Sequence, residues 1–165
     1  ESFAAKRICF HRLRMRKITV SIPFSAPLML FPVKIDIPDE VVIIPMDAIL
    51  IEQVIVNLLE NAVQHAEGMT RLMLRVFTLG NSAIFEIKDN GCGIDPRRFE
   101  TLFTGYYASE DEVADSQKKN AGIGLSVCAS IIKAHGGNIK AENIKTGGAV
   151  FRFDLDTEEI GNDTE

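Results

Sequence analysis

The stretch DAILIEQVIVNLLENAVQH, residues 47–65, decides the fold. Its apolar residues recur at i, i+3, i+4 and i+7, which predicts an amphipathic helix running to about His65. Asp47 is suited to cap the N-terminus of this helix. The predicted core-facing residues are Ile51, Val54, Ile55, Leu58, Leu59 and Ala62. A second stripe at the same spacing is polar and consists of Asn57, Asn61, Gln64 and His65.

Alternating segments on both sides of this helix predict a sheet. Strands are expected at residues 71–79 and 83–88 around a Gly80-Asn81 turn, and at 138–144 and 149–155 around the turn 145–148. A second helix is expected from about Gly122 to Ala134, ended by two glycines. Segments 17–23 and 33–38 also alternate, but whether both pair in the sheet stays open. Residues 95–120 are polar and long for a connection, which indicates a functional lid or disorder.

Composition limits the class of protein. With 165 residues and 46% apolar content, the chain can bury one good core. A net charge of −5 gives no basic field for nucleic acid. The three cysteines have neither metal-ligand spacing nor a disulfide framework, which favours a reducing compartment. No apolar run is long enough to span a bilayer, and the missing initiator Met suggests a piece of a larger protein.

Three short segments carry the candidate chemistry. Asn57 and Asn61 lie one turn apart on one side of the helix, and amide oxygens suit Mg²⁺; we expect Asn61 to hold the metal and Asn57 to position solvent or phosphate. Asp89 ends a strand before Asn90-Gly-Cys-Gly93, where a carboxylate can accept a hydrogen bond from the adenine amino group. Taken singly, two solvent-facing amides and a plain Asp-Asn-Gly turn would explain these patterns equally well.

The third segment is glycine-rich. Gly122 and Gly124 are expected to open the second helix, whose N-terminus would favour a phosphate chain. It is neither a Walker A loop nor a Rossmann fingerprint. The three histidines are scattered, no nucleophile is evident, and His135 is expected to cap a helix end.

In this order, the segments resemble the catalytic and ATP-binding domain of bacterial sensor histidine kinases, in the wider group that includes gyrase, Hsp90 and MutL. Asn57-Leu-Leu-Glu-Asn61-Ala62 resembles the N box, Asp89-Asn-Gly-Cys-Gly93 the G1 box, Leu102-Phe103 with Tyr106 the F box, Asn120-Ala-Gly-Ile-Gly124-Leu125 the G2 box, and Gly147-Gly148 the final glycine turn. The resemblance covers roughly residues 33–156 and looks most like the KdpD type, which responds to potassium and osmotic stress.

The resemblance implies an α+β fold of the Bergerat type: a two-layer α/β sandwich whose mixed sheet carries helices on one face. It implies ATP and Mg²⁺ as cofactors, with Asn57 and Asn61 catalytic and Asn61 on the metal. The implied nucleotide-binding residues are Asn57, Asn61, His65, Asp89, Gly91, Gly93, Ile94, Phe103, Tyr107, Gly122, Ile123, Gly124 and Leu125. Phe103 would anchor the lid.

The implied partners are a histidine-bearing dimerisation domain, absent here, and a response regulator, with no nucleic acid. The chain would be a monomeric cytoplasmic piece of an inner-membrane sensor. We expect a linker or N-terminal extension over residues 1–30 (a solvated helix or linker over 1–20), the catalytic domain over 31–157 with its lid at about 95–121, and a disordered acidic tail over 158–165.

Four positions depart from the family pattern. Gln64 and His65 stand where a lysine and an aromatic residue are usual, Ala108 stands where an arginine often follows the F box, and Asn120 replaces the first G2 glycine. These changes leave two alternatives open. One is an ATPase clamp like gyrase or MutL, although those relatives place a glutamate base at the position of Asn57. The other is a pseudokinase that binds nucleotide without transferring phosphate.

Overall fold

The computed structural model describes residues 7–9, 17–22, 29–104 and 118–158, with side chains described over 32–104 and 124–158. Two helices and eight strands lie in these ranges. In chain order they are β1 (Arg7–Cys9), β2 (Lys17–Ile22), β3 (Met29–Asp36), β4 (Ile43–Pro45), α1 (Ala48–His65), β5 (Leu72–Leu79), β6 (Ser82–Asp89), a 3-10 turn (Pro96–Arg98), α2 (Lys118–Ala134), β7 (Ile139–Asn143) and β8 (Ala149–Asp156).

Six of the strands form one mixed sheet in the order β2-β3-β5-β6-β8-β7. The β3–β5 pair is parallel and the other neighbours are antiparallel. Strands β1 and β4 form a separate antiparallel pair. Helices α1 and α2 pack against each other and against β6, β7 and β8. This is the two-layer α+β sandwich expected from the sequence, and that prediction is confirmed.

The core lies between the helix layer and one face of the sheet. On α1 the stripe is buried as predicted, with Val54 and Leu58 fully buried and Ile55 partly so. On the sheet, Phe85 of β6 stacks on Phe153 of β8 with ring centroids 4.6 Å apart. Burying one large apolar side chain stabilises a fold by about 1.5–3 kcal/mol, so this shared core fixes how the helices lie on the sheet.

The ends of the two helices are joined by hydrogen bonds. Asp47 Oδ1 accepts from Ile49 N at 3.0 Å and from Leu50 N at 3.2 Å, which confirms it as the N-cap of α1. The Asp47 backbone N–H donates to His135 Nε2 at 3.1 Å, while His135 Nδ1 lies 2.8 Å from the Ile131 carbonyl oxygen. His135 therefore caps the end of α2, as expected, and places it beside the start of α1, so the helices run antiparallel.

The second helix begins earlier than the sequence indicated. It starts at Lys118, so the prediction that Gly122 and Gly124 open it is wrong, and both lie within its first two turns. No proline interrupts residues 118–124, and a glycine costs a helix only about 1 kcal/mol relative to alanine. The packing of the later turns offsets that cost, so the helix continues through both glycines.

The N-terminal region contains strands where a solvated helix or linker was expected. Residues Arg7–Cys9 pair with β4, and Lys17–Ile22 pair with β3. The two alternating segments therefore pair with each other, and β3 begins at Met29 rather than at Val33. Most of the expected lid (105–117) and of the acidic tail (159–165) lie outside the described residues. Within the described part of the chain, no helix has the length and hydropathy needed to cross a bilayer.

Candidate functional site

Asp89 is a buried carboxylate with one oxygen committed to the fold. It is 4% exposed at the end of β6. Its Oδ1 accepts from Gly91 N at 2.8 Å and from Ala149 N at 3.4 Å. Its Oδ2 has no hydrogen-bond partner among the described residues. Since every fully buried polar side-chain atom in that part of the chain has a partner, Oδ2 is not fully buried and reaches solvent. Asp89 can thus accept a hydrogen bond from an amino group of a ligand.

Two glycines allow backbone to lie against this carboxylate. Gly148, in the turn before β8, has φ +87°, and a Cβ there would overlap the Asp89 carbonyl oxygen and lie 2.6 Å from Asn90 Cα. A Cβ on Gly91 would lie 2.8 Å from Cβ and O of Ala66, the C-cap of α1. Only glycine fits at either point, because any side chain would push the strand end away from its neighbour.

The turn after Asp89 lies against the end of α1 that carries the predicted polar residues. Besides the Gly91–Ala66 approach, the Cys92 thiol lies 3.6 Å from the His65 carbonyl oxygen. Asn61 is one helical turn before His65. The structure therefore brings the turn at residues 91–92 and the C-terminal turns of α1 side by side.

The start of α2 reaches the same end of the helix layer. The antiparallel helices meet at His135 with Asp47, and again where the Cys128 thiol lies 3.8 Å from the Val54 carbonyl oxygen. One turn back along α2 from Cys128 is Gly124, so in this antiparallel pair Gly124 lies at about the level of Leu58, between Asn57 and Asn61. A Cβ on Gly124 would meet nothing within 4 Å, so the helix surface there is open.

Asn57 is engaged by the protein itself. Gln53 Nε2 donates to Asn57 Oδ1 at 2.8 Å, and the Asn57 amide lies beside the Cys128 thiol. Burial raises the pKa of Cys128 to about 11, although the Asn57 amide works against that rise. Asn57 therefore lies in a polar contact between the two helices, and the bond from Gln53 orients its amide.

Asn61 differs from Asn57, because its half-buried amide has no partner among the described residues. The described residues hold no cluster of three or more His, Cys, Asp or Glu side chains that could bind a metal ion on its own. A single amide suits Mg²⁺ that arrives with a nucleotide, since such an ion keeps phosphate oxygens and water as its other ligands. The residues present fit that arrangement.

His65 lies at the border of this region and keeps more than a third of its surface exposed. Partial desolvation of the ring lowers the pKa of His65, and the positive charge of Arg98 lowers it further. The imidazole is therefore biased towards its neutral form, in which it can offer one donor and one acceptor.

The segment after the Asp89 turn is fixed by a residue that the sequence did not single out. Asn143, at the end of β7, accepts from Ile94 N and donates to the Ile94 carbonyl oxygen, both at 2.7 Å. Gly93, with φ +79°, approaches the same side chain closely. Further on, Phe103 packs edge-on against Phe151 with centroids 6.4 Å apart. The first part of the expected lid is thus anchored to the core.

Asn90 is a second residue that the sequence did not single out. Its Oδ1 accepts from Thr70 N at 3.0 Å and Arg71 N at 2.7 Å, and its Nδ2 donates to Thr70 Oγ1 at 2.9 Å. It ties the end of β6 to the chain entering β5 and so fixes the position of Asp89. The Asp-Asn-Gly pattern signalled a turn but not this pairing, and nothing in the sequence pointed to Asn143.

The remaining predicted site residues are only partly described. Tyr107 lies outside the described residues, and for Gly122 and Ile123 only the helical backbone is described. Leu125 is 2% exposed and belongs to the core cluster. It can support the site from beneath.

Comparison with known proteins gives one family. Residues 46–159 match the family model described as histidine kinase-, DNA gyrase B-, and HSP90-like ATPase. The sensor protein KdpD of Clostridium acetobutylicum is 36% identical over 126 residues, 76% of this chain and 14% of that protein. The adaptive-response sensory kinase SasA of Trichormus variabilis is 37% identical over 124 residues, 74% of this chain and 30% of that protein.

Solved structures agree with the fold. The catalytic domain of the histidine kinase ThkA superposes with a TM-score of 0.59 at 27% identity, covering 74% of this chain and 76% of that chain. The ATP-binding domain of PrrB from Mycobacterium tuberculosis gives a TM-score of 0.60 at 24% identity, with 77% and 80% covered, and supports the fold alone. The chain spans less than a third of these KdpD and SasA relatives.

Proposed function

The chain belongs to the family of histidine kinase-, DNA gyrase B- and HSP90-like ATPases, and we propose that it is the ATP-binding kinase domain of a two-component sensor histidine kinase. In this role it transfers the γ-phosphate of ATP to a histidine on a separate dimerisation domain, for relay to an aspartate of a response regulator. The observation that carries the proposal is the Asp89 carboxylate beside the end of α1 that carries Asn61. One oxygen of this carboxylate is hydrogen-bonded within the fold, and the other is free to accept from a ligand.

Asp89 supports adenine selection. The two backbone N–H groups that bind Oδ1 fix the plane of the carboxylate, and Oδ2 is left to accept from the exocyclic amine. A guanine would present a carbonyl oxygen at that position, and two acceptors would repel each other. The turn at Gly91 and the close approach of Gly148 leave this face without side chains that would block a flat base.

We assign the phosphate chain of ATP to the open side of the pair formed by α1 and α2. Mg²⁺ bound with the nucleotide would neutralise charge on the β- and γ-phosphates. Asn61 would hold the ion with its unpaired amide, and the backbone near Gly124 would lie along the phosphates. Asn57, which accepts a hydrogen bond from Gln53 and lies beside Cys128, would help to position the residues around it. It would also contact phosphate or solvent.

Transfer is favoured over hydrolysis by the residue type at position 57. An ATPase clamp needs a base there to activate water, and an amide cannot take a proton. Glu60 is a carboxylate on the same helix, but it lies about 100° around the axis from Asn61 and so faces elsewhere. The chain therefore provides binding and orientation, which is most of what phosphoryl transfer requires.

The departures from the family pattern leave a pseudokinase as an alternative, which can be tested. Gln64 is exposed, Ala108 lies outside the described residues, and for Asn120 only backbone is described. KdpD and SasA proteins match at nearly equal identity, so potassium or osmotic sensing stays a prediction. We propose in the same way that the chain acts with a dimerisation domain and a response regulator and that it is a cytoplasmic part of a membrane sensor.

Binding of a fluorescent ATP analogue with and without Mg²⁺ tests the nucleotide site. Asp89→Asn retains the acceptor for Gly91 N but turns a donor towards the adenine amine. We expect affinity to fall about 10- to 100-fold, the loss of a hydrogen bond to a charged group. Asp39→Asn, on an exposed bend, is the matched control and should bind normally. Unchanged binding by Asp89→Asn would show that the adenine assignment is wrong.

Transfer of labelled γ-phosphate to an added histidine-bearing acceptor domain, run beside an ATPase assay, tests the reaction. Label on the acceptor with little free phosphate supports the kinase. Free phosphate that appears without acceptor favours the ATPase clamp. Magnesium-dependent binding with neither product would identify a pseudokinase.

A further inference from the structure

A cluster of positive charge lies on the face of the sheet that points away from α1 and α2. Along β6, Ile87 and Asp89 are buried on the helix side, so Lys88 between them points to the opposite face. The register places Lys34 of β3 opposite Met73 of β5, and Met73 opposite Lys88. The two lysines therefore flank Met73 in one row across three strands.

The neighbouring row on this face is neutralised by ion pairs. Arg75 Nε lies 3.2 Å from Asp36 Oδ2, and Arg152 Nη2 lies 2.6 Å from Glu86 Oε1. No such pairing reaches the lysine row. Among the residues that the structure describes, Lys34, Lys88 and the adjacent Arg71 have no ion-pair or side-chain hydrogen-bond partner. In a protein of net charge −5, three unpaired cations together are a local feature that the fold itself does not use.

These cations line a cleft of about 610 Å³. Thr70, Asp89, Asn90 and Thr146 also line it. Asn90 fixes this wall through its bonds to Thr70 and Arg71, and because Thr70 Oγ1 accepts from Asn90 Nδ2, its own hydroxyl proton remains free to donate. A recess of this volume is the size of a small-molecule site, whereas a protein partner more often covers a flatter surface.

We propose that this cleft binds a small molecule that carries two or more phosphate groups, separately from the ATP analogue at Asp89. Lys34 and Lys88 stand two strand spacings apart, about 10 Å, and their flexible side chains can converge over Met73 on two linked phosphate groups. Two phosphate groups carry about three to four negative charges, enough to match three cations, whereas two carboxylates would leave one cation unmatched. Thr70 and Thr146 supply neutral donors at the rim. The inference does not rest on the kinase assignment, because Lys34 and Lys88 lie on the face of the sheet opposite to the buried Asp89 side chain, although Asp89 itself also lines the cleft.

Inorganic pyrophosphate, titrated by calorimetry in the presence of EDTA, is the probe. The double variant Lys34→Gln/Lys88→Gln removes two cations and should weaken binding at least about tenfold. Lys133→Gln, an exposed lysine in the last turn of α2, is the control for loss of a positive charge away from the cleft and should bind as the unaltered chain does. Equal melting temperatures for the variants would show that the fold is intact.

Amide chemical shifts locate the probe. Pyrophosphate should shift the amides of Met73 and Lys88, and should leave those of Gly124 and Leu125 in place. No binding by the unaltered chain, equal binding by the double variant, or shifts confined to Gly124 and Leu125 would each overturn the proposal. Binding of polyglutamate but not pyrophosphate would also overturn it, since the surface would then be one for acidic polypeptides.

Discussion

Replacing Gly148 with alanine tests whether the glycine turn before β8 holds Asp89 in position. Gly148 has φ +87°, a backbone conformation that costs a residue with a side chain about 1–2 kcal/mol. The new Cβ would also overlap the Asp89 carbonyl oxygen and approach Asn90 Cα to 2.6 Å. Both are backbone atoms, so the strand end itself must shift, at a further cost of about 1–3 kcal/mol. The free energy of unfolding should fall by about 2–5 kcal/mol in all.

Gly136→Ala is the matched control. Gly136 has φ +78°, but a Cβ there meets nothing within 4 Å, so only the conformational cost of about 1–2 kcal/mol should appear. Urea unfolding followed by circular dichroism gives both values. The difference between the two variants isolates the contact with the end of β6.

The same contact should affect the ligand. Because Asp89 Oδ1 accepts from Ala149 N, directly after Gly148, a shift of this turn changes the direction of the carboxylate. Gly148→Ala should therefore lower the affinity for an ATP analogue, whereas Gly136→Ala should leave it unchanged. Equal stability losses in the two variants, or unaltered affinity in Gly148→Ala, would refute the reasoning.

Three further predictions concern neighbouring residues. The pKa of His65 is lowered, so protonation is disfavoured in the fold and His65 costs stability as pH falls below about 6.5; Arg98→Gln should raise that pKa, measured by NMR titration, and the free energy of unfolding should then fall less at low pH than it does in the unaltered chain. Asn143→Ala should lower the free energy of unfolding by about 1–2 kcal/mol and weaken the binding of an ATP analogue, with Asn143→Asp intermediate in both assays because it retains one of the two bonds. Since burial raises the pKa of Cys128 to about 11, iodoacetamide should label it only on unfolding, while exposed Cys92 is labelled in the native protein, as peptide mass spectrometry would show.

The fold could be predicted because local patterns and the shared core agree. The stripe of α1 and the cap at Asp47 are local signals, and both are as predicted. The start of α2 was mispredicted because the low helix propensity of glycine was considered without the stabilisation that tertiary packing provides. The later turns of α2 are buried against α1, and this packing stabilises the weaker first turns as well.

The position of a candidate site residue could be predicted only where residue type and location coincide in a short segment. Asp89 at a strand end beside glycines is such a case, and the structure gives it one free oxygen. Asn143 is not, because its role depends on a contact with Ile94 that spans 49 residues. Hydrogen bonds of that range follow from sheet order and register, which a single sequence specifies weakly.

The two faces of the sheet end show how one strand can serve two separate surfaces. Alternation along β6 buries the carboxylate of Asp89 and exposes the ammonium of Lys88 on the opposite face, and both residues line the cleft. Asn90, the next residue, then binds the chain entering β5 and so stiffens both sides together. If Asn90 is what couples them, Asn90→Ala should weaken pyrophosphate in the cleft and the ATP analogue at Asp89 alike, whereas Lys34→Gln/Lys88→Gln should affect the cleft alone. Loss at only one site in Asn90→Ala would mean that each surface is held by its own contacts.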